Sequence, residues 1–193
     1  MYKLCKTEQS AERQRALELG LQKYMLTRRY DEISVSDLCA YLNIPRKAFY
    51  RYFSSREGAL YALIDHTIMR FEDFFTLYRG KNKRTLNSEL CGFFQYWLDQ
   101  KELLIALDKS GLIGLLVERA IFHVVNERLI PARFLAADSA EIQKHVAMFC
   151  SCGLMSMALN WYRDGFNVPI PEMAKTAARL LMQPLFPNAE TLI

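Results

Sequence analysis

The chain has 193 residues, 51% of them hydrophobic and 24% charged, with only 8 glycines and 6 prolines. That balance excludes a disordered or collagen-like chain and leaves room for long helices almost everywhere. Net charge is +4, and residues 1–60 hold 11 Lys/Arg against 7 Asp/Glu while residues 61–193 hold 14 of each, so the whole excess sits on the first third. A basic segment beside a neutral body is the charge distribution of a phosphate-binding head. No apolar run approaches the roughly 18–20 residues that span a bilayer. The opening MYKLCKTEQSAERQ turns polar where a signal peptide needs its apolar stretch, so a cytoplasmic location is expected. Five cysteines, with no CxxC pair, argue against a disulfide framework and a structural zinc site.

Helical periodicity runs nearly throughout, which predicts an all-α fold. Ala16, Leu17, Gly20, Leu21, Tyr24 and Met25 fall at i, i+3/i+4 spacing and define a first amphipathic helix over 11–27. A polar break at Arg28–Asp31 follows, then a short helix after Ser34 with Val35, Leu38, Cys39 and Leu42 on one face. Asn43-Ile44-Pro45 reads as a turn, and a second short helix runs from Pro45 to about Phe53. Ser54-Ser55-Arg56-Glu57 reads as a capping box with Ser54 as N-cap, opening a long helix that carries Leu60, Leu63, Ile64, Ile68, Phe71, Phe75 and Tyr78. Gly80–Arg84 is the clearest break in the chain. Beyond it, helices are expected at about 86–99, 101–109 and 112–129, the last stopped by Pro131. Two more are expected at 139–164 and 171–185, with Pro171 in a first turn and Pro187 as terminator.

The stretch from Val35 to Phe53 has the parts of a helix-turn-helix. Cys39 is the small residue four positions before the turn, and Asn43 tolerates positive φ. Leu38, Leu42, Ile44, Phe49 and Tyr52 supply the apolar wedge, and Pro45 suits the first helical position. At 100° per residue, Arg46, Lys47, Tyr50 and Arg51 fall on one side of the second helix, and Ala48, Phe49, Tyr52 and Phe53 on the other. Arg and Lys on such a face can bond guanine O6 and N7 or a phosphate, and a tyrosine hydroxyl can do either.

Together with the flanking helices, the segment Ile33–Leu38, Asn43–Phe53 and Ser54–Glu57 resembles the DNA-binding head of the TetR family over about residues 10–75. Farther on, Gly153-Leu154-Met155-Ser156 and Trp161–Gly165 before a Pro-started last helix look like the C-terminal end of many members. The resemblance implies a three-helix helix-turn-helix head, residues 1–56, joined by a long helix to a helical-bundle ligand-binding and dimerisation domain, residues 57–193. It further implies a sequence-specific transcriptional regulator, a repressor more often than an activator, with operator affinity controlled by a small molecule. Ser36, Arg46, Lys47 and Tyr50 fall where members meet bases or nearby backbone, while Tyr52 and Arg56 fall at phosphate-contact positions. The departures are Asn43 for the usual glycine, Pro45 for a polar N-cap, and Lys47 for a small residue.

Residues 71–162 are rich in aromatics, which at helical spacing serve a core or a pocket. Phe75, Phe94, Trp97 and Phe122 are the candidates for lining an effector pocket. His66, His123 and His145 are too scattered for a metal signature, so solvated or hydrogen-bonded imidazoles are expected, with no metal and no cofactor. The last two helices carry Ala147, Cys150, Leu154, Met157, Ala158, Trp161, Met173, Ala177, Leu180 and Leu181. Such a stripe fits either internal core or a homodimer interface. A dimer would set two heads on a palindromic operator in double-stranded DNA, with no membrane partner. No phosphate loop, G-x-S-x-G, H-E-x-x-H or Cys-His motif argues for an enzyme. The rival reading is a helical protein-interaction module whose helix-turn-helix is vestigial or serves a non-transcriptional role.

Overall fold

The computed structural model describes residues 2–3, 5–82, 85–127 and 139–183. Among these, the regular elements are helices: α1 (Glu8–Thr27), α2 (Val35–Tyr41), α3 (Arg46–Tyr52), α4 (Arg56–Lys81), α5 (Leu86–Asp99), α6 (Lys101–Lys109), α7 (Ile113–Glu127), α8 (Ala140–Arg163) and α9 (Ile170–Met182). A single 3-10 turn, Tyr30–Glu32, interrupts the break after α1. The all-α expectation holds, and most boundaries fall within one to three residues of the periodicity. The stops expected at Pro131 and Pro187, and Lys83-Arg84 of the expected linker, lie outside the described residues.

Three local expectations are corrected. The cap of α4 is Ser55, one residue later than Ser54: its Oγ accepts from the Gly58 N–H at 3.2 Å, and its carbonyl accepts the first helical bond from Ala59. Pro45 is the N-cap of α3 and not its first helical residue, with extended backbone and no side-chain cap. Gly80 and Lys81, read as a break, continue α4, since a glycine costs a helix only about 1 kcal/mol and i→i−4 bonding carries through it.

The chain divides into two compact units, one formed by Met1–Arg70 with Gln100–Leu129 and the other by Phe71–Asp99 with Ile130–Ile193. In the first, α6 lies along α1 and α2 packs on both α1 and α3. Leu21, Met25, Ile33, Leu38, Phe49, Phe53, Leu63, Ile64, Leu103, Leu104 and Leu107 are fully or almost fully buried there. Tyr24 and Tyr41 stack face to face at 4.3 Å, pinning α1 to α2. In the second unit α9 lies against α5, which also meets α8. Its core is aromatic: Phe71, Phe75, Phe94, Tyr96, Trp97 and Trp161 meet edge-on or tilted, the Phe94 and Trp161 rings 5.7 Å apart. The Trp161 indole donates to the Val168 carbonyl at 2.8 Å, holding the loop before α9.

The buried face of α1 differs from the apolar stripe read in the sequence. Gln14, Glu18 and Gln22 are buried, whereas Ala16 is exposed and Leu17 half-buried. Glu18 is held by Arg15 at 3.1 Å and by His66 Nδ1 at 2.8 Å. Gly20 lies where α1 and the end of α2 approach: a Cβ built on it would stand 2.3 Å from Leu42 Cδ2. Gly20→Val is therefore expected to destabilise the fold by about 1–3 kcal/mol through overpacking. Gly20→Ala is expected to cost less, because about 1 kcal/mol of helix propensity offsets the displacement of a flexible leucine end. Urea unfolding of both variants checks the order, and a neutral Gly20→Val would mean that the helices do not approach this closely.

Candidate nucleic-acid interface

The turn of the motif is built by hydrogen bonds. Ser34 caps α2 reciprocally: its Oγ accepts from the Asp37 N–H at 3.1 Å, and the Asp37 carboxylate accepts from the Ser34 N–H at 3.0 Å. The Ser34 hydroxyl also donates to that carboxylate at 2.6 Å, and this bond, with the one from the Ser34 N–H, holds the Asp37 carboxyl below its ordinary value. At the other end the Asn43 N–H donates to the Ala40 carbonyl and the Ile44 N–H to that of Cys39, at 3.1 and 3.0 Å, with Asn43 at φ 51°. This is a Schellman closure, which places one left-handed residue just past the helix. The same closure ends α6 at Gly111 and α8 at Gly165. At Asn43 a short polar side chain replaces glycine, as its tolerance of the left-handed region allows.

The closure sets α3 against the head's core by one side. Phe49 and Phe53 are fully buried and Tyr52 is 6% exposed, while Ala48 is half-buried. On the opposite side Arg46, Lys47, Tyr50 and Arg51 are exposed, and Ser36 is exposed on α2. The two faces of α3 thus separate as the helical projection has them. Arg46 and Tyr50, one turn apart, also touch: a guanidinium N–H donates to the Tyr50 hydroxyl at 3.4 Å. No acidic residue lies on α3.

Two of the candidate residues are engaged by the fold. Tyr52 turns its ring into the core, and its carbonyl accepts from the Lys3 N–H at 3.0 Å. Arg56 donates to the backbone carbonyls of Tyr30, at 3.0 Å, and Ile33, and its guanidinium lies 4.3 Å from the centre of the Tyr30 ring. Burial, with the Glu57 charge adding to it, pushes the Tyr30 hydroxyl up to about 12. Arg56 therefore ties the start of α4 to the turn that precedes α2.

Behind the motif stands a buried carboxylate that sequence reading missed. Asp65, 1% exposed, accepts both guanidinium bonds of Arg119 at 2.6 Å and the Tyr2 hydroxyl at 2.9 Å, with His123 Nε2 at 3.1 Å. Burial pushes its carboxyl up, but the bonds from Arg119, His123 and Tyr2 outweigh this and hold it below the ordinary carboxylate range. The available signal was an aspartate directly after Leu63-Ile64 on the apolar side of a long helix. The histidines are hydrogen-bonded or paired, His66 to Glu18 and His145 to the Glu141 carbonyl. Among the described residues no group of three His, Cys, Asp or Glu could hold a metal ion, and no helix is long and apolar enough to cross a membrane.

The pocket candidates fall in different units. Phe75, Phe94 and Trp97 are buried in the second, where the Trp97 indole N–H finds no acceptor among the described residues. Phe122 belongs to the first unit, is 48% exposed, and has the Arg119 guanidinium 4.9 Å from its ring centre.

A Schellman-closed helix-turn-helix presenting a basic, tyrosine-bearing helix, in an otherwise helical chain, is the class of protein that this geometry defines. Comparison with known proteins narrows the class. No family model matches the chain. An HTH-type transcriptional regulator, EthR, of Mycolicibacterium smegmatis is 39% identical over 64 residues, 33% of this chain, and the match spans only 30% of that regulator's length. Solved structures extend the likeness over nearly the whole chain. The fatty acid degradation regulator FadR of Bacillus halodurans superposes with a TM-score of 0.63 at 16% identity, covering 94% of this chain and 98% of its own. A TetR-family transcriptional regulator of Rhodococcus sp. gives 0.53 at 14% identity over 86% of this chain and 95% of its own. The TetR-family repressor AlkX of a Dietzia strain gives 0.50 at 15% identity over the same shares. The fold is that of the TetR-family regulators, as the resemblance of the head implied.

Proposed function

We propose that the chain is a sequence-specific DNA-binding transcriptional regulator of the TetR type, a cytoplasmic repressor whose operator affinity a small molecule controls. The observation that carries this reading is the exposed face of α3: four hydrogen-bonding side chains, three of them cationic, project from a helix whose other face is locked by Phe49 and Phe53. A vestigial motif need not keep such a face. Arg46, Lys47 and Tyr50 read base edges, and Arg51 and Ser36 hold adjacent backbone. Tyr52 and Arg56, largely used by the fold, position the head. In this reading residues 1–56 act as the DNA-binding domain and 57–193 as the regulatory one.

One seven-residue recognition helix offers few base contacts, so the active species is a homodimer on a near-palindromic operator, its heads about 34–36 Å apart. The last two helices supply the interface. Of the expected stripe, Ala147, Ala158, Trp161 and Ala177 are already buried within the second unit, while Leu180 and Leu181 stay exposed. On α8, Phe149 (70% exposed) is followed at helical spacing by the exposed small residues Gly153 and Ser156, and α9 adds Leu180, Leu181 and Met182. An effector among Phe75, Phe94 and Trp97 would be largely apolar, with one oxygen for the Trp97 N–H. It must bind the DNA-free conformation better than the DNA-bound one.

Selection of bound duplexes from a random library, followed by anisotropy across a salt series, tests the reading. Enrichment of a near-palindrome bound far more tightly than random duplex is expected, with steep salt dependence. Equal weak binding to every duplex would overturn it in favour of the interaction module.

A further inference from the structure

The segment ahead of α1 is anchored along the back of the recognition helix. Tyr2 forms an antiparallel bridge with Phe53, and its hydroxyl donates to Asp65 at 2.9 Å while its ring meets His66 edge-on at 5.2 Å. The Lys3 N–H bonds the Tyr52 carbonyl at 3.0 Å. Cys5 Sγ donates to Gln14 Oε1 at 2.7 Å. Tyr2 and Cys5 thus turn inward and fix the path of the segment, while Lys3 and Lys6 remain exposed.

Between this segment and the end of α3 lies an open cleft of about 360 Å3, lined by Lys3, Cys5, Lys6, Thr7, Ser10, Arg51 and Tyr52. Three of these are cations and none is an acid. Arg51 belongs both to the cleft and to the exposed face of α3, so the basic surface is continuous from the recognition helix to the segment. A linear array of cations beside a groove-reading helix fits the sugar-phosphate strand that borders that groove. Lysine ammoniums hold phosphates as point charges without base preference.

Building on the regulator reading, we propose that Lys3 and Lys6 form a second DNA-contacting element, which beside Arg51 holds the phosphate backbone flanking the groove that α3 enters. The anchors at Tyr2 and Cys5 preorganise it, so the segment pays little ordering entropy on binding.

The test is anisotropy of the full chain on its selected duplex and on random duplex, over a salt series, for wild type, Lys3→Ala/Lys6→Ala and Lys3→Arg/Lys6→Arg. Thermal melting confirms that all three fold. The alanine variant is expected to lose roughly 0.9 in the log–log salt slope for each phosphate contact removed. Its affinity should fall on the order of tenfold on both duplexes, with their ratio preserved, and the arginine variant should keep the wild-type slope. An alanine variant that binds with wild-type slope and affinity would overturn the proposal while leaving the regulator reading intact. A wild type that selects no duplex would remove both.

Discussion

Replacing Asp65 by alanine is expected to destabilise the protein by about 3 kcal/mol, the lower end of the range for breaking a buried ion pair, since Arg119 keeps a quarter of its side-chain exposure. That is a large share of the roughly 5–15 kcal/mol that holds a typical domain. The loss arises on the side left behind: Arg119, the Tyr2 hydroxyl and His123 would all face a void where they now meet one carboxylate. Asp65→Leu combined with Arg119→Met should cost less than Asp65→Ala alone, because no charge then stays unpaired in the interior. Urea unfolding of wild type and the two variants measures this, and a double variant worse than Asp65→Ala would mean that the network contributes net stability. The pH dependence follows from the lowered carboxyl of Asp65. A carboxylate held below its unfolded value near 4 contributes fully above that value and loses its contribution as pH falls through the lower folded value. Wild-type stability should therefore drop in the acid range below about pH 4, and Asp65→Asn should flatten that drop.

Lys47→Ala/Tyr50→Ala is expected to weaken binding to the selected duplex by about 100-fold or more and to bring it close to random duplex. Each good base contact is worth about 1–3 kcal/mol of discrimination, and a two-fold dimer loses it twice. Both side chains are exposed, so stability should change by no more than about 0.5 kcal/mol. Loss of selectivity with an unchanged unfolding curve separates base reading from a structural role. A variant that keeps wild-type selectivity would show that the groove is read by other residues.

How much could be read from the sequence depended on whether a residue's role was local. The turn at Asn43, the two faces of α3 and most helix ends rest on contacts within a few positions, and spacing alone revealed them. The cap at Ser55 was missed by one residue because Glu57 completes the capping-box pattern only from Ser54, whereas Ser55 caps through the Gly58 N–H, a bond that the backbone path sets and the pattern does not show. The polar face of α1 was invisible to an apolar periodicity because Gln14 and Glu18 are buried against partners outside the helix, Cys5 in the segment before it and His66 on α4, 48 residues beyond Glu18. Asp65 was overlooked for the same reason: Arg119 lies 54 residues away and Tyr2 63. Phe122 shares a periodicity with the other aromatics but belongs to a different unit, and helical spacing carries no information about which helices meet.

The link between Arg56 and the turn before α2 bears on how these sequences can drift. The acceptors that Arg56 uses are main-chain oxygens of Tyr30 and Ile33, which every substitution except a change of backbone path preserves. Asp31 and Glu32 are exposed and can vary with little consequence, and Tyr30 contributes a stacking surface that another planar side chain could supply. Arg56 has no such freedom, since a lysine could neither span several carbonyls with a planar fork nor stack on the ring in the same way. Mutational tolerance across this joint is therefore lopsided, permissive at Asp31 and Glu32 in the loop and strict at Arg56 on the helix. A saturation library scored for folding would show one intolerant column beside several neutral ones.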